Sequence, residues 1–173
     1  MESIVDGYHT AKNLGTKESI EKKAPFFCSS KDAWLGTGYY YWDRDINLAH
    51  EWGKNFCDNN YVIVHNKLNL VNCFDLVGTP DHKKTLLKIK NEFIAKGKLN
   101  ENDIKISVLI EYLRQNDLFP FLTIRAEDRY REKTKFVKNK HEFTFLDSRI
   151  QICVINKTKV LLTPSTVIEV INK

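Results

Sequence analysis

Apolar positions along this chain follow two interleaved periods, near two residues in some stretches and near three and a half in others. Residues 4–10 read as a short strand ending in Tyr8-His9-Thr10. Residues 16–24 read as a polar helix, with Thr16 as its cap and Glu18 and Glu21 near its positive end. Pro25, Phe26 and Phe27 open an extended segment. Residues 35–52 are the densest stretch. Gly36 and Gly38 make a turn, the unbroken aromatic run 39–42 is a strand, and Asp43-Arg44-Asp45 caps a helix reaching about Phe56. That helix presents Leu48, Ala49 and Trp52 on one face, so the stretch reads either as a core β-α unit or as two aromatics, Tyr40 and Trp52, delivered to close on a flat ring from both sides.

Residues 61–71 are a second strand rich in Val and Ile, which residues 72–77 continue into a turn at Gly78. Thr79 caps and Pro80 opens a helix with Leu86, Leu87, Ile89, Phe93 and Ile94 on its apolar face and Gly97 at its stop. Asp103 opens another helix, with Ile106, Leu109, Ile110 and Leu113 at helical spacing and Pro120 beyond its end. Residues 121–124, 142–145, 150–155, 160–162 and 167–171 read as strands. Strands mixed with helices but without regular βαβ alternation predict an α+β fold.

The chain has 173 residues, enough for one domain with a real core, and no repeat or linker divides 1–173. No apolar run approaches the roughly 18 residues of a membrane span, so no membrane partner is expected. The start of the chain lacks a basic-then-apolar leader, which points to the cytoplasm. Cys28, Cys57, Cys73 and Cys153 have no metal-ligand spacing and read as reduced thiols, mostly buried. No metal site is expected, and His50, His65, His82 and His141 receive no role. Asp75 reads as a structural turn residue. Net charge is +5 and uneven, with Lys and Arg concentrated over residues 125–140. Such a run is either a solvated loop or a surface for an anionic partner, nucleic acid or a dinucleotide.

Three pieces carry candidate chemistry: Tyr8-His9-Thr10, the Gly-Thr-Gly-aromatic run followed by Ala49 and Trp52, and Arg149-Ile150-Gln151 in a late apolar strand. In this order and spacing they resemble the ADP-ribosyltransferase superfamily. The similarity is to the branch with a His-Tyr-Glu type triad that includes diphtheria-toxin-like and poly(ADP-ribose)-polymerase-like domains. Small bacterial and phage-related members with Gln at the third position look most similar. The resemblance implies a split, mostly antiparallel β-sheet core flanked by helices, with NAD+ bound as a substrate between the two sheets and no metal. It implies catalytic roles for His9, Tyr40 and Gln151. His9 would hold a ribose of NAD+, the Thr10 backbone beside it the nicotinamide amide, and Gly38 would lie by the cofactor. Tyr40 would stack on the nicotinamide ring, with Trp52 as the other wall. Gln151 would stand where relatives carry the catalytic Glu.

Breaking the nicotinamide–ribose bond leaves a cationic sugar, which an acceptor on the 2′-OH steadies. Glu does this with charge, whereas Gln151 offers a dipole and is no general base. Arg149 also replaces the Glu of arginine-modifying relatives and could grip a phosphate. With Arg125, Lys133, Lys135, Lys138 and Lys140, this favours a nucleic-acid acceptor, whose base amine is already nucleophilic. Glu142 or Asp147 could supply the missing base. The implied function is a mono-ADP-ribosyltransferase of toxin or phage-defence type, with an antitoxin protein as partner. An NAD+ glycohydrolase toxin is the alternative enzyme. A catalytically inactive module binding NAD+, ADP-ribose or RNA is the alternative of another class.

Overall fold

The computed structural model describes residues 3–97, 103–128, 133–135, 143–145 and 148–172. The elements in order are β1 (Ile4–Lys12), α1 (Lys17–Lys23), β2 (Tyr39–Asp43), α2 (Ile46–Phe56), β3 (Tyr61–Asn69), β4 (Cys73–Asp75) and α3 (Pro80–Ala95). They continue with α4 (Ile106–Gln115), β5 (Thr123–Glu127), β6 (Lys133–Lys135), β7 (Phe143–Phe145), β8 (Ile150–Val154), α5 (Lys157–Val160) and β9 (Thr166–Ile171). Seven strands form one sheet in the order β4-β5-β8-β2-β1-β3-β9, and β6 pairs with β7 as a separate ribbon. Within the sheet, β4 and β5 run parallel while the other neighbours run antiparallel. The class is α+β, with helices against the sheet. No helix of the described residues is long and apolar enough to cross a membrane.

Local signals explain most boundaries. Thr16 caps α1 by accepting from the Ser19 N–H, and Asp45 caps α2 by accepting from the Asn47 N–H. Ile110, Ile124 and Cys153 pack with Leu35 and Phe74 on the face that α4 covers. Trp42, Leu48, Ala49, Tyr61 and Ile63 pack together beneath α2. On the opposite face Val5, Tyr41, Leu68, Ile152 and Val154 form their own cluster. Each fully buried side chain of this size contributes about 1.5–3 kcal/mol. The cysteines are unpaired, with Cys57 and Cys153 buried and Cys28 and Cys73 half-buried.

Several expectations fail for identifiable reasons. Residues 72–77 do not prolong β3. The Asn69 side chain accepts from the Val71 N–H and turns the chain, and β4 crosses to the far edge beside β5, where Phe74 is buried. The helix expected from Asp103 starts at Ile106. Residues 160–162 are not a strand. Asn156 caps the short α5 instead, and Leu161 makes a single bridge to Leu68. Leu87 lies exposed on α3, which buries Phe93 against Tyr112. Lys133 and Lys135, in the basic run, lie in strand β6.

Arg125 is not a surface cation. Its Nε donates to Asp43 Oδ2 at 2.6 Å and its Nη1 to Asp75 Oδ1 at 3.3 Å, with both carboxylates buried. Burial works against the charged guanidinium, but the bonds to Asp43 and Asp75 outweigh it and raise its pKa. Asp75 also accepts from the Val77 and Gly78 N–H groups, the turn role expected of it. This triad ties β5 across β8 to β2 and sideways to β4. Arg125→Met is expected to strand two buried carboxylates and cost about 3–5 kcal/mol of unfolding free energy. Urea denaturation measures it, and a loss below about 1 kcal/mol would make the triad incidental.

Candidate active site

β1 pairs with β3 along its whole length, from Ile4 to Lys12. Its pairing with β2 covers Gly7 with Asp43 and Tyr8 with Trp42 and stops there. The next hydrogen-bonded pair in that register would be Thr10 with Tyr40. It does not form. The Tyr40 C=O accepts from His9 Nδ1 at 2.8 Å instead, so an imidazole stands where the neighbouring strand would. Backbone direction alternates along a strand, and Arg44 N–H donates to the Asp6 C=O on the β2 side. Thr10 therefore turns its N–H and C=O toward the opened seam, where no strand meets them. Its hydroxyl is held by the Ala49 C=O at 2.8 Å.

His9 is buried and both ring nitrogens are engaged. A carbonyl only accepts and a backbone N–H only donates, so Nδ1 carries the proton and Nε2 accepts from the Phe26 N–H at 3.2 Å. Burial lowers its pKa, with the Tyr40 bond opposing in part. The neutral ring is thus a wedge between β1 and β2. Its Nε2 reaches a ligand only if the Phe26 N–H gives way.

The seam opens into a cleft of about 1040 Å3. His9, Thr10, Tyr40, Trp52 and Gln151 all line it, so the strand, turn and late-strand motifs meet in one place. The chain has three tryptophans, and Trp34, Trp42 and Trp52 all face this cleft. Trp34 donates its indole N–H to Gln151 Oε1 at 2.8 Å. That orients the amide, leaving its NH2 and one oxygen lone pair for a ligand. Trp52 lies 4.2 Å from Phe56 and 6.4 Å from Trp42, centroid to centroid.

The turn before β2 is gripped from α4. Glu111 Oε1 accepts from the Thr37 N–H and hydroxyl, and Arg114 Nη1 donates to the Thr37 C=O. Gly36 sits at φ +88°, and a Cβ there would meet Glu111 Oε1 at 2.8 Å. Gly38 is not among the residues that line the cleft. A Cβ on it would lie 2.5 Å from Cys153 Sγ, so its smallness lets the turn press on β8. Tyr40 donates its hydroxyl to the Gly36 C=O and accepts from the Leu35 N–H, which locks the same turn. Burial pushes its phenol well up and the Cys153 thiol up to about 12, so neither serves as an acid or base near neutral pH.

Arg149 is not a phosphate grip open to solvent. Its Nη1 bonds Glu51 at 2.6 Å, its Nε lies 3.8 Å from Asp128 Oδ2, and its guanidinium covers the Trp42 ring at 5.2 Å. Side chains of Lys133 and Lys135, and Lys138, Lys140, Glu142 and Asp147 altogether, lie outside the described residues. Trp34, the Phe26 N–H and Asp128 went unforeseen. Convergence of all the tryptophans could have pointed to Trp34, whereas backbone groups leave no sequence signal. No family model, curated protein or solved structure matches this chain.

The His9 geometry fixes a pH dependence. The unfolded chain protonates His9 near the ordinary 6.5, the folded chain only at lower pH. The unfolded state binds more protons in that window, so stability falls as pH drops below about 6.5. His9→Asn keeps a donor for Tyr40 and does not titrate. Its loss of unfolding free energy between about pH 7.5 and pH 5 is expected to be smaller than wild type's. Equal losses in urea melts would remove His9 from the pH response.

Proposed function

We propose that this protein is an NAD+-dependent mono-ADP-ribosyltransferase of toxin or phage-defence type, working in the seam between β1 and β2. The observation that carries the reading is the Thr10 main chain, which offers a donor and an acceptor side by side to an aromatic-walled cleft. A primary carboxamide such as that of nicotinamide has the matching acceptor and donor. Aromatic faces suit a cationic nicotinamide ring. The cleft volume matches the upper range of small-molecule sites, so a folded dinucleotide fits. The seam takes the place of the gap expected between two sheets, and the ADP-ribosyltransferase fold belongs to this proposal.

In this reading the chain's own groups bind and orient. Thr10 fixes the leaving carboxamide, tryptophan rings hold the ring plane, and Gln151, braced by Trp34, meets the ribose 2′-OH as positive charge grows on the sugar. His9 acts by holding the seam open. Nucleic acid is the proposed acceptor. It rests on the lysines of the 125–140 run, because Arg125 and Arg149 are committed to ion pairs. A toxin of this kind implies an antitoxin protein that restrains it. The test is incubation with labelled NAD+ and separate pools of RNA, DNA and protein. Label in a nucleic-acid pool with nicotinamide release is expected. Release without label would make it an NAD+ glycohydrolase, and neither would leave a binding module.

Two variants probe the parts. Thr10→Pro removes the cavity-facing N–H and the hydroxyl, and Thr10→Val removes the hydroxyl alone. NAD+ affinity is expected to fall about fivefold to tenfold in the first relative to the second, the worth of one hydrogen bond. Equal affinities by calorimetry would refute the carboxamide site.

Gln151→Ala is expected to lower transfer about a hundredfold with far less effect on NAD+ binding. Gln151→Glu keeps an acceptor for Trp34 and is expected to raise nicotinamide release to water while transfer stays level or drops. Transfer undiminished in Gln151→Ala would sink the role of Gln151.

A further inference from the structure

We propose that Asp128 is a catalytic residue of this cleft, the carboxylate that takes the proton of the incoming acceptor; the assignment rests on the transferase reading above. Gln151 is neutral and Arg149 cationic, so neither position of the late strand takes a proton. Asp128 follows directly on the end of β5 and belongs to none of the sequence motifs. Its place follows from register. Ala126 faces Gln151 across β5 and β8, and the ladder runs on, with the Asp128 N–H donating to the Arg149 C=O at 2.7 Å. Residues two apart share a face, so Asp128 stands diagonal to Gln151, about 7–8 Å away. Both line the cleft.

Their depths differ in a useful way. Gln151 is 7% exposed, while the Asp128 side chain is 28% exposed, nearer the mouth where a macromolecule must enter. Arg149 fixes the carboxylate from behind. Its guanidinium is held by Glu51 on one side and Trp42 on another, and its buried Nε makes an ion-pair contact of 3.8 Å with Asp128, too long for a hydrogen bond. Asp128 thus lines the cleft with a fixed cation beside it.

The step balances. The acceptor heteroatom bonds to ribose C1′ as the C1′–N bond to nicotinamide breaks. The electron pair of that bond goes to the ring nitrogen, which becomes neutral. The proton of the acceptor goes to Asp128 and from there to water.

The test uses the full chain, the pool that accepts label, and Asp128→Asn and Asp128→Glu. Asp128→Asn is expected to lower kcat about a hundredfold and to abolish the acidic limb of the pH profile. NAD+ affinity should stay within about twofold, because the acceptor and not the dinucleotide meets this group. Asp128→Glu should restore part of the rate and the acidic limb, which a merely structural contact to Arg149 would not govern. Asp128→Asn at wild-type rate, or with its acidic limb intact, overturns the assignment. So does loss of that limb in Asp32→Asn, another carboxylate lining the cleft, in place of Asp128→Asn. A wild-type profile without an acidic limb overturns it too, even if the variants do not fold. Wild type releasing no nicotinamide with any pool overturns the transferase reading and this one together, whereas an active wild type with an indifferent Asp128→Asn overturns Asp128 alone.

Discussion

The bond from His9 Nδ1 to the Tyr40 C=O is the constraint on which the site depends. Antiparallel strands close by exchanging paired bonds, and two pairs into the β1–β2 ladder this one side chain replaces the next pair. Each lost ladder bond costs about 1 kcal/mol, which the imidazole bond partly offsets. The result is a sheet that stays continuous by hydrogen bonding yet opens along one seam. Because β1 remains zipped to β3 over nine residues, the opening does not spread into the rest of the sheet.

The far wall of the seam is set by a relay that begins on α4. Glu111 and Arg114 hold Thr37, the turn carries Trp34, and Trp34 holds Gln151 on β8. Tyr40 fastens the same turn from β2. A helix far along the chain thus sets the orientation of an amide in the cleft. The aromatic run that looks like a ligand platform therefore has two duties, since Tyr40 locks the turn and Trp42 supports Arg149.

Charge is spent inward rather than outward. Arg125 and Arg149 belong to a chain of net charge +5, yet each is bound to two carboxylates. Arg125 ties three strands together, and Arg149 braces the cleft edge. A guanidinium with planar, forked donors suits such sites better than a lysine would. At the start of the basic run, Arg125 is thus built into the fold.

The sequence by itself determined the elements whose signals are local. Thr16 and Asp45 announce their helices through side chains that reach a nearby N–H, and the aromatic and β-branched runs become β2, β3 and β8. It also brought His9, Tyr40, Trp52 and Gln151 forward as companions, and one cleft gathers them. What it did not determine depends on partners far along the chain. β4 leaves β3 because its buried Phe74 finds a place beside β5, a pairing between segments some fifty residues apart. Gly38 stands off the cleft lining, and only the nearness of Cys153 gives its smallness a packing reason. The seam itself is a missing pair of backbone bonds. Backbone groups are the same at every residue, so only the tertiary structure, by ending the β1–β2 register at Tyr8 and Trp42, decided that Thr10 faces the cleft.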